Sequence, residues 1–343
     1  MKKIFKFLGI ILILICIFIG IFLFTIKDKV MLTINIFNKY SEFVEGNNFL
    51  QEDNLNISEE INNEYEEIEY KNTNGVSLTL DIFNAKKQLK NGSPVIIYVH
   101  GGSWIYGDKE IPKSISPMLD AFREEGYTII STSYELMRGE ENFNKQISDV
   151  KDTIRWVYKN KEKYNFNEEK IGIIGASSGA HLALMAAYSN DDEFIGADEL
   201  KGYSSKVKYL IDFFGPTDLN TLKLDDINYD MEQIINSVGE DKEEILDKYS
   251  PINYIENNEP NTLIIHSKKD SLVPYENAEV LYNELVSKDN EVDIITIEGA
   301  THNFSEFDMD EILSVGSKIL EFVIKNMWQN IIIDKTCLKY SKI

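Results

Sequence analysis

The sequence predicts an α/β domain in which a mostly parallel sheet is opened by an antiparallel hairpin and carries helices on both faces. Two observations lead to this prediction. Short apolar runs typical of buried strands alternate along the chain with longer segments of helical character. The first two strand-like runs are joined by Asn74-Gly75, a dipeptide typical of tight hairpin turns. With 343 residues, the chain is long enough for one large domain with a substantial core.

The predicted elements follow one another in a regular order. Residues 67–71 and 76–83 form the hairpin, and residues 94–99 (PVIIYV) are continuously apolar, as expected for a strand covered on both faces. Further strands are expected at residues 128–131, 171–174, 207–214, 262–266 and 292–297. Helices are expected at residues 115–125, 144–164, 180–189, 275–287 and 306–327, with a small helical cap within residues 217–249.

The N-terminus differs from the rest of the chain. Residues 7–26 form a run of 20 uncharged residues, which as a helix spans about 30 Å, the thickness of a bilayer's hydrocarbon core. No small-residue cleavage site follows, so we expect an uncleaved membrane anchor; a cleaved signal peptide or a lipid anchor at Cys16 are the alternatives. The lysines before the run predict a cytoplasmic N-terminus and a body outside the cytoplasm.

Composition divides the chain further and excludes some classes of partner. We expect an anchor at residues 1–30, a polar spacer at 31–62, one globular domain at 63–328 and a tail at 329–343. The formal net charge is −22, and the body is more acidic still because the first 30 residues are basic. Such a body repels phosphate backbones, so nucleic-acid binding is not expected. Neither a disulfide between Cys16 and Cys337 nor a metal site is predicted.

Ser177 is the first candidate for a catalytic residue. It lies in Gly175-Ala176-Ser177-Ser178-Gly179, between a predicted strand and an alanine-rich helix. A G-x-S-x-G sequence in that position is typical of a serine nucleophile on a strained turn, which small neighbours make possible. The alternative is an ordinary glycine-rich turn.

A serine hydroxyl needs a base to become a nucleophile. His302 is the candidate base because it lies in a polar loop after a predicted strand. The other three histidines are expected to be structural: His100, His181 and His266. Asp270, in the loop after the strand at 262–266, is the leading candidate for the acid that orients His302, with Asp218 as its rival. The alternative for Asp270 is a helix-capping carboxylate.

An oxyanion formed at the substrate carbonyl needs preorganised N–H donors. The backbone of Ser178, the residue after the nucleophile, is expected to supply one, and Gly101 or Gly102 the other. Trp104 is a candidate wall of the substrate pocket, with a buried structural role as the alternative.

Taken together, these motifs resemble the α/β-hydrolase-fold esterase/lipase family, in particular its branch of acetyl esterases, feruloyl-esterase-like proteins and arylformamidases. The segment HGGSW with the following GDK is similar to that branch's glycine loop, and GASSGAHLALMAA to its nucleophile elbow. SPI, NTLIIHSKKDSLVP and GATHNF resemble its closing segments, so the likeness covers roughly residues 65–327. The resemblance implies Ser177 as nucleophile, His302 as base, Asp270 as acid, and an oxyanion hole made by the 101–102 loop and the Ser178 N–H.

Three positions depart from the pattern of that branch. Ser103 replaces a third glycine, Ser267 stands where glycine is frequent, and Glu135 stands where many relatives have arginine. None of these removes a candidate catalytic residue. We therefore expect a membrane-anchored, extracytoplasmic serine hydrolase that cleaves small carboxylic esters with short acyl groups, without a metal or organic cofactor. Amide cleavage and a non-catalytic binding module on the same scaffold are the alternatives, and the oligomeric state is left open.

Overall fold

An eight-stranded sheet lies at the centre of the computed structural model, which describes residues 64–73, 75–112, 115–223, 229–237, 241–302 and 309–327, with the single residues 31, 34, 35 and 38. The strands are β1 Glu66–Thr73, β2 Val76–Phe83, β3 Ser93–Val99, β4 Thr128–Thr132, β5 Phe166–Ala176, β6 Tyr209–Phe213, β7 Asn261–Ser267 and β8 Val292–Ile297. Their order in the sheet is β1-β2-β4-β3-β5-β6-β7-β8. β1 pairs with β2 and β2 with β4 in antiparallel fashion, and the remaining pairs are parallel.

Helices cover both faces of this sheet. They are α1 Ser116–Glu124, α2 Phe143–Lys159, α3 Lys161–Tyr164, α4 Ser178–Tyr188, α5 Tyr229–Ser237, α6 Lys242–Lys248, α7 Glu276–Ser287 and α8 Met309–Met327. One apolar cluster contains buried residues of α2, α4 and α7, and a second contains those of α1 and α8. Alternate residues of β3 enter the two clusters, Val95 and Ile97 the first, Ile96 and Tyr98 the second. This alternation follows from the two-residue period of a strand and explains why the PVIIYV run is apolar throughout.

The predicted fold class is confirmed, with differences at individual elements. The hairpin of β1 and β2 forms as expected, and Gly75 has a φ of 83°. β5 begins earlier than predicted and β6 is shorter, and the helix expected at 144–164 is interrupted at Asn160. The backbone N–H and the side-chain amide of Asn160 both donate to the Trp156 carbonyl, where the helix ends. The cap region holds a 3₁₀ turn, Leu219–Thr221, and the helices α5 and α6.

The predicted anchor at residues 7–26 lies outside the described residues. No helix among the described residues is long and apolar enough to cross a membrane. The division of the chain into anchor, spacer, domain and tail stays a prediction.

The topology brings four loops to one edge of the sheet. β3, β5, β7 and β8 run parallel, so the segments that follow them lie at the same carboxyl edge. These segments carry the glycine loop, Ser177, Asp270 and His302. Ligands bind at this edge in open α/β sheets.

Candidate active site

Ser177 occupies a strained turn between β5 and α4. Its φ is 54° and its ψ is −122°, a conformation that a residue with a Cβ adopts only when its surroundings impose it. Its N–H donates to the Phe213 carbonyl at 2.9 Å, and its own carbonyl accepts the N–H of His181 at 3.0 Å. These two bonds tie the turn to the neighbouring strand and to the helix that follows.

The two glycines of the G-x-S-x-G sequence are required by close backbone approach. A Cβ on Gly175 would lie 2.5 Å from the Cα of Ala180. A Cβ on Gly179 would lie 2.7 Å from the carbonyl carbon of His100 and would also collide with the Val99 oxygen. Only glycine lets the elbow pack this tightly against its own helix and against the end of β3.

Ser177, His302 and Asp270 form one hydrogen-bonded chain. The Ser177 Oγ lies 2.8 Å from His302 Nε2, and His302 Nδ1 lies 2.7 Å from Asp270 Oδ2. A carboxylate only accepts, so Nδ1 carries the imidazole proton and Nε2 is free to accept the hydroxyl proton. The three residues come from three separate loops. Ser177 and His302 are 125 positions apart in the sequence, and Asp270 and His302 are 32 apart.

Asp270 is held in place by more than His302. Its Oδ1 accepts the backbone N–H groups of Leu272 at 3.0 Å and Val273 at 2.9 Å. Burial favours the neutral acid, but the hydrogen bonds from His266 and His302 outweigh it and hold the pKa of Asp270 well below its usual range. The helix that follows begins after Tyr275, so Asp270 orders the turn before that helix and is not its N-cap.

The rival acid Asp218 has other partners. It is the N-cap of the 3₁₀ turn Leu219–Thr221, and its Oδ1 accepts the backbone N–H of Asn220 at 3.0 Å. The structure therefore brings Asp270, and not Asp218, to His302.

Two of the histidines expected to be structural have contacts that match that expectation. His181 is fully buried, and its Nδ1 lies 3.1 Å from Trp104 Nε1, which can only donate. The His181 Nε2–H therefore donates to the Tyr249 carbonyl at 2.7 Å, and burial lowers the pKa of this histidine to about 4. The His100 Nδ1–H donates to the Gly101 carbonyl at 2.8 Å, and its ring stacks on Tyr134.

The glycine loop lies directly against the elbow. A Cβ on Gly101 would lie 2.8 Å from the Ala176 oxygen and 3.4 Å from the Cβ of Ser177. Gly102 has a φ of 128°, and its carbonyl accepts the N–H of Tyr106 at 2.8 Å as the loop turns back. Within the part of the chain that the structure describes, the N–H groups of Gly102 and Ser178 donate to no protein acceptor. The oxyanion-hole role of Gly101, Gly102 and Ser178 stays a prediction.

Trp104 lies beneath this loop. Its side chain is 2 % exposed, packs edge-on against Phe143 and His181, and donates to His181. Its carbonyl accepts the N–H of Met137 at 3.0 Å. These contacts support the loop from the core side, and the pocket-wall role of Trp104 stays a prediction.

Two further residues contact the site: Phe214, to which the sequence pattern assigned no role, and His266, which was expected to be structural. Phe214 has a φ of 44°, and its ring centroid lies 4.8 Å from that of His302. His266 Nε2 lies 3.5 Å from Asp270 Oδ2. Both residues fall inside apolar runs predicted as strands, which hid their contacts with the site. Of the three departures from the family pattern, Glu135 forms an ion pair with Lys145.

Known proteins resemble this chain in sequence. The BD-FAE family model matches residues 80–285, more than half of the chain. Among curated proteins, the esterase LipC of Mycobacterium tuberculosis is 25% identical over 235 residues, which are 67% of this chain and 57% of LipC. The esterase LipQ of the same organism is 29% identical over 185 residues, 53% of this chain and 43% of LipQ. The chain thus spans about half the length of these curated relatives.

Solved structures of other proteins resemble this chain in fold. Native esterase Est2 of the Planctomycetes species Thermogutta terrifontis has a TM-score of 0.63 at 24% identity, covering 77% of this chain and 92% of that one. The same esterase with bound propionate has a TM-score of 0.62 at 23% identity. This likeness shows the α/β-hydrolase fold, and with the family match it confirms the resemblance stated from the motifs. The chain belongs to the BD-FAE family of the α/β-hydrolase-fold esterases and lipases.

Proposed function

We propose that the protein is a carboxylesterase that cleaves small carboxylic esters with short acyl groups through an acyl-enzyme. The observation that carries this proposal is the hydrogen-bonded chain from Ser177 through His302 to Asp270, next to the glycine loop and to two N–H groups that have no acceptor among the described residues. The names of the relatives, LipC and LipQ among them, support the same class of reaction.

In the proposed first half-reaction, Ser177 Oγ attacks the carbonyl carbon of the ester. His302 Nε2 takes the hydroxyl proton, and the buried Asp270 carboxylate stabilises the resulting imidazolium. The N–H groups of Ser178 and of the glycine loop donate to the oxyanion, a contribution that commonly exceeds any other single one in acyl transfer. His302 then gives the proton to the departing alcohol.

In the second half-reaction, water replaces the alcohol. His302 takes a proton from the water molecule, which attacks the acyl-enzyme, and the acid leaves as Ser177 recovers its proton. Phe214, packed against the His302 ring, limits the room in which the imidazole can turn between these two steps.

The preference for short acyl groups has support from one structural neighbour. Structures of the Thermogutta terrifontis esterase hold propionate and butyrate, the acids of short acyl chains. A panel of p-nitrophenyl esters of increasing chain length tests the preference in this protein. We expect the highest kcat/KM with the shortest acyl groups. Hydrolysis of N-formyl amides but not of these esters would replace the esterase proposal by an amidase.

Covalent labelling tests the proposed nucleophile. Organophosphates modify the same structural neighbour, which has been obtained phosphorylated by paraoxon. We expect a fluorophosphonate probe to label the wild-type protein and not Ser177→Ala. The matched control is Ser287→Ala, which removes an exposed hydroxyl at the end of α7 and should be labelled like wild type. An unlabelled wild-type protein would favour a non-catalytic binding module instead.

For the cellular location, we propose that residues 7–26 anchor the protein in the membrane and that the catalytic domain lies outside the cytoplasm. The support is the uncharged run and the lysines before it. Protease added to intact cells should release or degrade the domain. A domain that is degraded only after the cells are lysed would contradict the proposed orientation.

A further inference from the structure

A buried carboxyl group lies behind the proposed triad and has no part in the mechanism above. Asp212, on β6, is fully buried. Its Oδ1 accepts the N–H of Gly215 at 2.8 Å, whereas its Oδ2 has no hydrogen-bond partner among the described residues. A buried carboxylate with an unsatisfied oxygen is unfavourable, so this group needs either a partner or a proton of its own.

His266, on the neighbouring strand β7, has a ring nitrogen that lacks a hydrogen-bond donor. The ring is fully buried, and its Nε2 lies 2.9 Å from the Val273 carbonyl and 3.5 Å from Asp270 Oδ2. Both of these groups only accept, so Nε2 carries the proton. Nδ1 has no partner among the described residues and, in neutral imidazole, lacks a donor.

The two unsatisfied atoms belong to the same side of the sheet. β6 and β7 are adjacent and parallel, and Asp212 is in register with Ile264. His266 follows Ile264 by two residues, so the period of a strand places its side chain on the same face as Asp212. Burial raises the pKa of Asp212 to about 7, and the proximity of His266 opposes this rise.

Other titratable groups around the pair have partners of their own. Tyr188, at the end of α4, interacts electrostatically with Asp212, but its hydroxyl bonds to Thr262. The Tyr275 ring packs edge-on against His266, and its hydroxyl bonds to Thr296. Asp270 and His302 lie on the opposite, Nε2 side of the His266 ring and bond to each other. Among the titratable groups that the structure describes around the pair, Asp212 is left as the one that can supply a donor to His266 Nδ1.

We propose that Asp212 is held as a neutral carboxylic acid whose Oδ2–H donates to Nδ1 of His266 through one buried water, and that this pair positions Asp270. The proton on Asp212 supplies the donor that Nδ1 lacks and so stabilises the tautomer whose Nε2–H faces Val273 and the Asp270 carboxylate. Both are positioning residues, because they act on the substrate only through Asp270 and His302. Their effect on catalysis rests on the proposed esterase function, but the proton itself does not.

The position of the proton can be measured without any activity. In Ser177→Ala with ¹⁵N-labelled histidine, we expect the ring proton of His266 on Nε2 and none on Nδ1, as the proposed hydrogen bond requires. Infrared difference spectra of wild type minus Asp212→Asn should show a C=O band of a protonated carboxyl that the variant loses. The comparison with Asp212→Asn is needed because burial also raises the pKa of Glu259 to about 7, so that a protonated Glu259 gives a similar band in both proteins. A His266 that is an imidazolium, or a spectrum without the band, would overturn the proposal.

The positioning role is tested by pH profiles of kcat/KM. Asp212→Asn keeps an acceptor for Gly215 and a donor for His266, so its kcat/KM should stay within about twofold of wild type. Asp212→Leu removes the donor, and kcat/KM should fall on the order of tenfold to a hundredfold as Asp270 loses its fixed position. The acid limb should also move to lower pH, because an Asp270 that has lost its fixed position stabilises protonated His302 less strongly.

The conservative variant His266→Gln separates positioning from packing. Its amide can still donate toward Asp270, so the acid limb should return toward that of wild type, whereas His266→Phe should behave like Asp212→Leu. Loss of activity in Asp212→Asn equal to that in Asp212→Leu, or an unmoved acid limb in Asp212→Leu, would refute the positioning role. If Asp212→Leu fails to fold, Asp212→Asn and the two spectra decide the question. If the wild-type protein hydrolyses no ester, the spectra still test the pair, so this failure is distinguishable from a failure of the proposed function.

Discussion

Replacement of Asp270 by asparagine should abolish most of the activity through the tautomer of His302. The Oδ1 of Asp270 accepts two backbone N–H groups, those of Leu272 and Val273. In Asp270→Asn the amide oxygen must keep that place, so the amide nitrogen takes the position of Oδ2, 2.7 Å from His302 Nδ1 in the wild type. A donor there forces the imidazole proton onto Nε2, which then cannot accept the Ser177 proton.

The expected loss is large because the contact is buried. The Asp270 side chain is 0 % exposed and that of His302 17 %, so little solvent would replace the missing carboxylate. A wrong imidazole tautomer in a triad of this kind costs on the order of 10⁴-fold in kcat. At about 1.4 kcal/mol per factor of ten, this corresponds to about 5 kcal/mol of transition-state stabilisation.

The assay is kcat/KM with p-nitrophenyl acetate, with Asp218→Asn as the matched control. Asp218 caps the turn Leu219–Thr221, and asparagine is an equally good cap, so this control should keep nearly full activity. Near-ultraviolet circular dichroism should show both variants folded. The assignment of Asp270 would be refuted if Asp270→Asn kept activity within tenfold of wild type, or if Asp218→Asn lost as much.

Two further predictions concern stability. Gly179→Ala places a methyl group against the Val99 oxygen and the His100 carbonyl and should lower the free energy of unfolding by about 3 kcal/mol. The control Gly202→Ala has open space around the new Cβ and should leave the free energy of unfolding nearly unchanged. Equal effects of the two substitutions in urea denaturation would contradict the close packing of the elbow. Because the pKa of Asp270 is depressed in the folded state, the stability it contributes is present above its unfolded pKa of about 3.9 and is lost as the pH falls through the folded value. The stability gap between wild type and Asp270→Asn should therefore narrow toward low pH in denaturation series, and a gap that widens would reverse the sign of the linkage.

Much of the fold could be predicted because its signals are local. Val95 and Ile97 lie in one apolar cluster and Ile96 and Tyr98 in the other. A strand buried on both faces is therefore a continuous apolar run, which can be recognised in the sequence. The three candidate catalytic residues could also be predicted, because their order along the chain and the position of each after a strand are visible in the sequence without any knowledge of contacts. Parallel strands deliver their carboxyl-end loops to one edge whatever the details of packing.

The contacts that the sequence did not reveal depend on register between distant strands. Asp212 and His266 are far apart in the chain, and their proximity follows from pairing of Asp212 with Ile264, which no local pattern specifies. Phe214 was assigned to a strand because it extends an apolar run, yet its φ of 44° ends that strand and turns the ring to His302. Apolar periodicity predicts that such residues are buried and does not predict which way the backbone turns.

Asp212 also lies where two halves of the site meet. The first half is the elbow and the glycine loop, packed together through Gly101 and Gly179; the second is the loop that holds Asp270. Gly215 joins them, because a Cβ on this residue would lie 2.5 Å from Asp212 Oδ1 and 2.7 Å from the Cβ of Ala180 in the elbow helix. Backbone packing fixes Ser177 within the first half, whereas hydrogen bonds fix Asp270 within the second. A carboxyl group bonded to Gly215 on one side and directed to His266 on the other couples the two halves, so a change at Asp212 should alter the Asp270–His302 geometry before it alters the elbow.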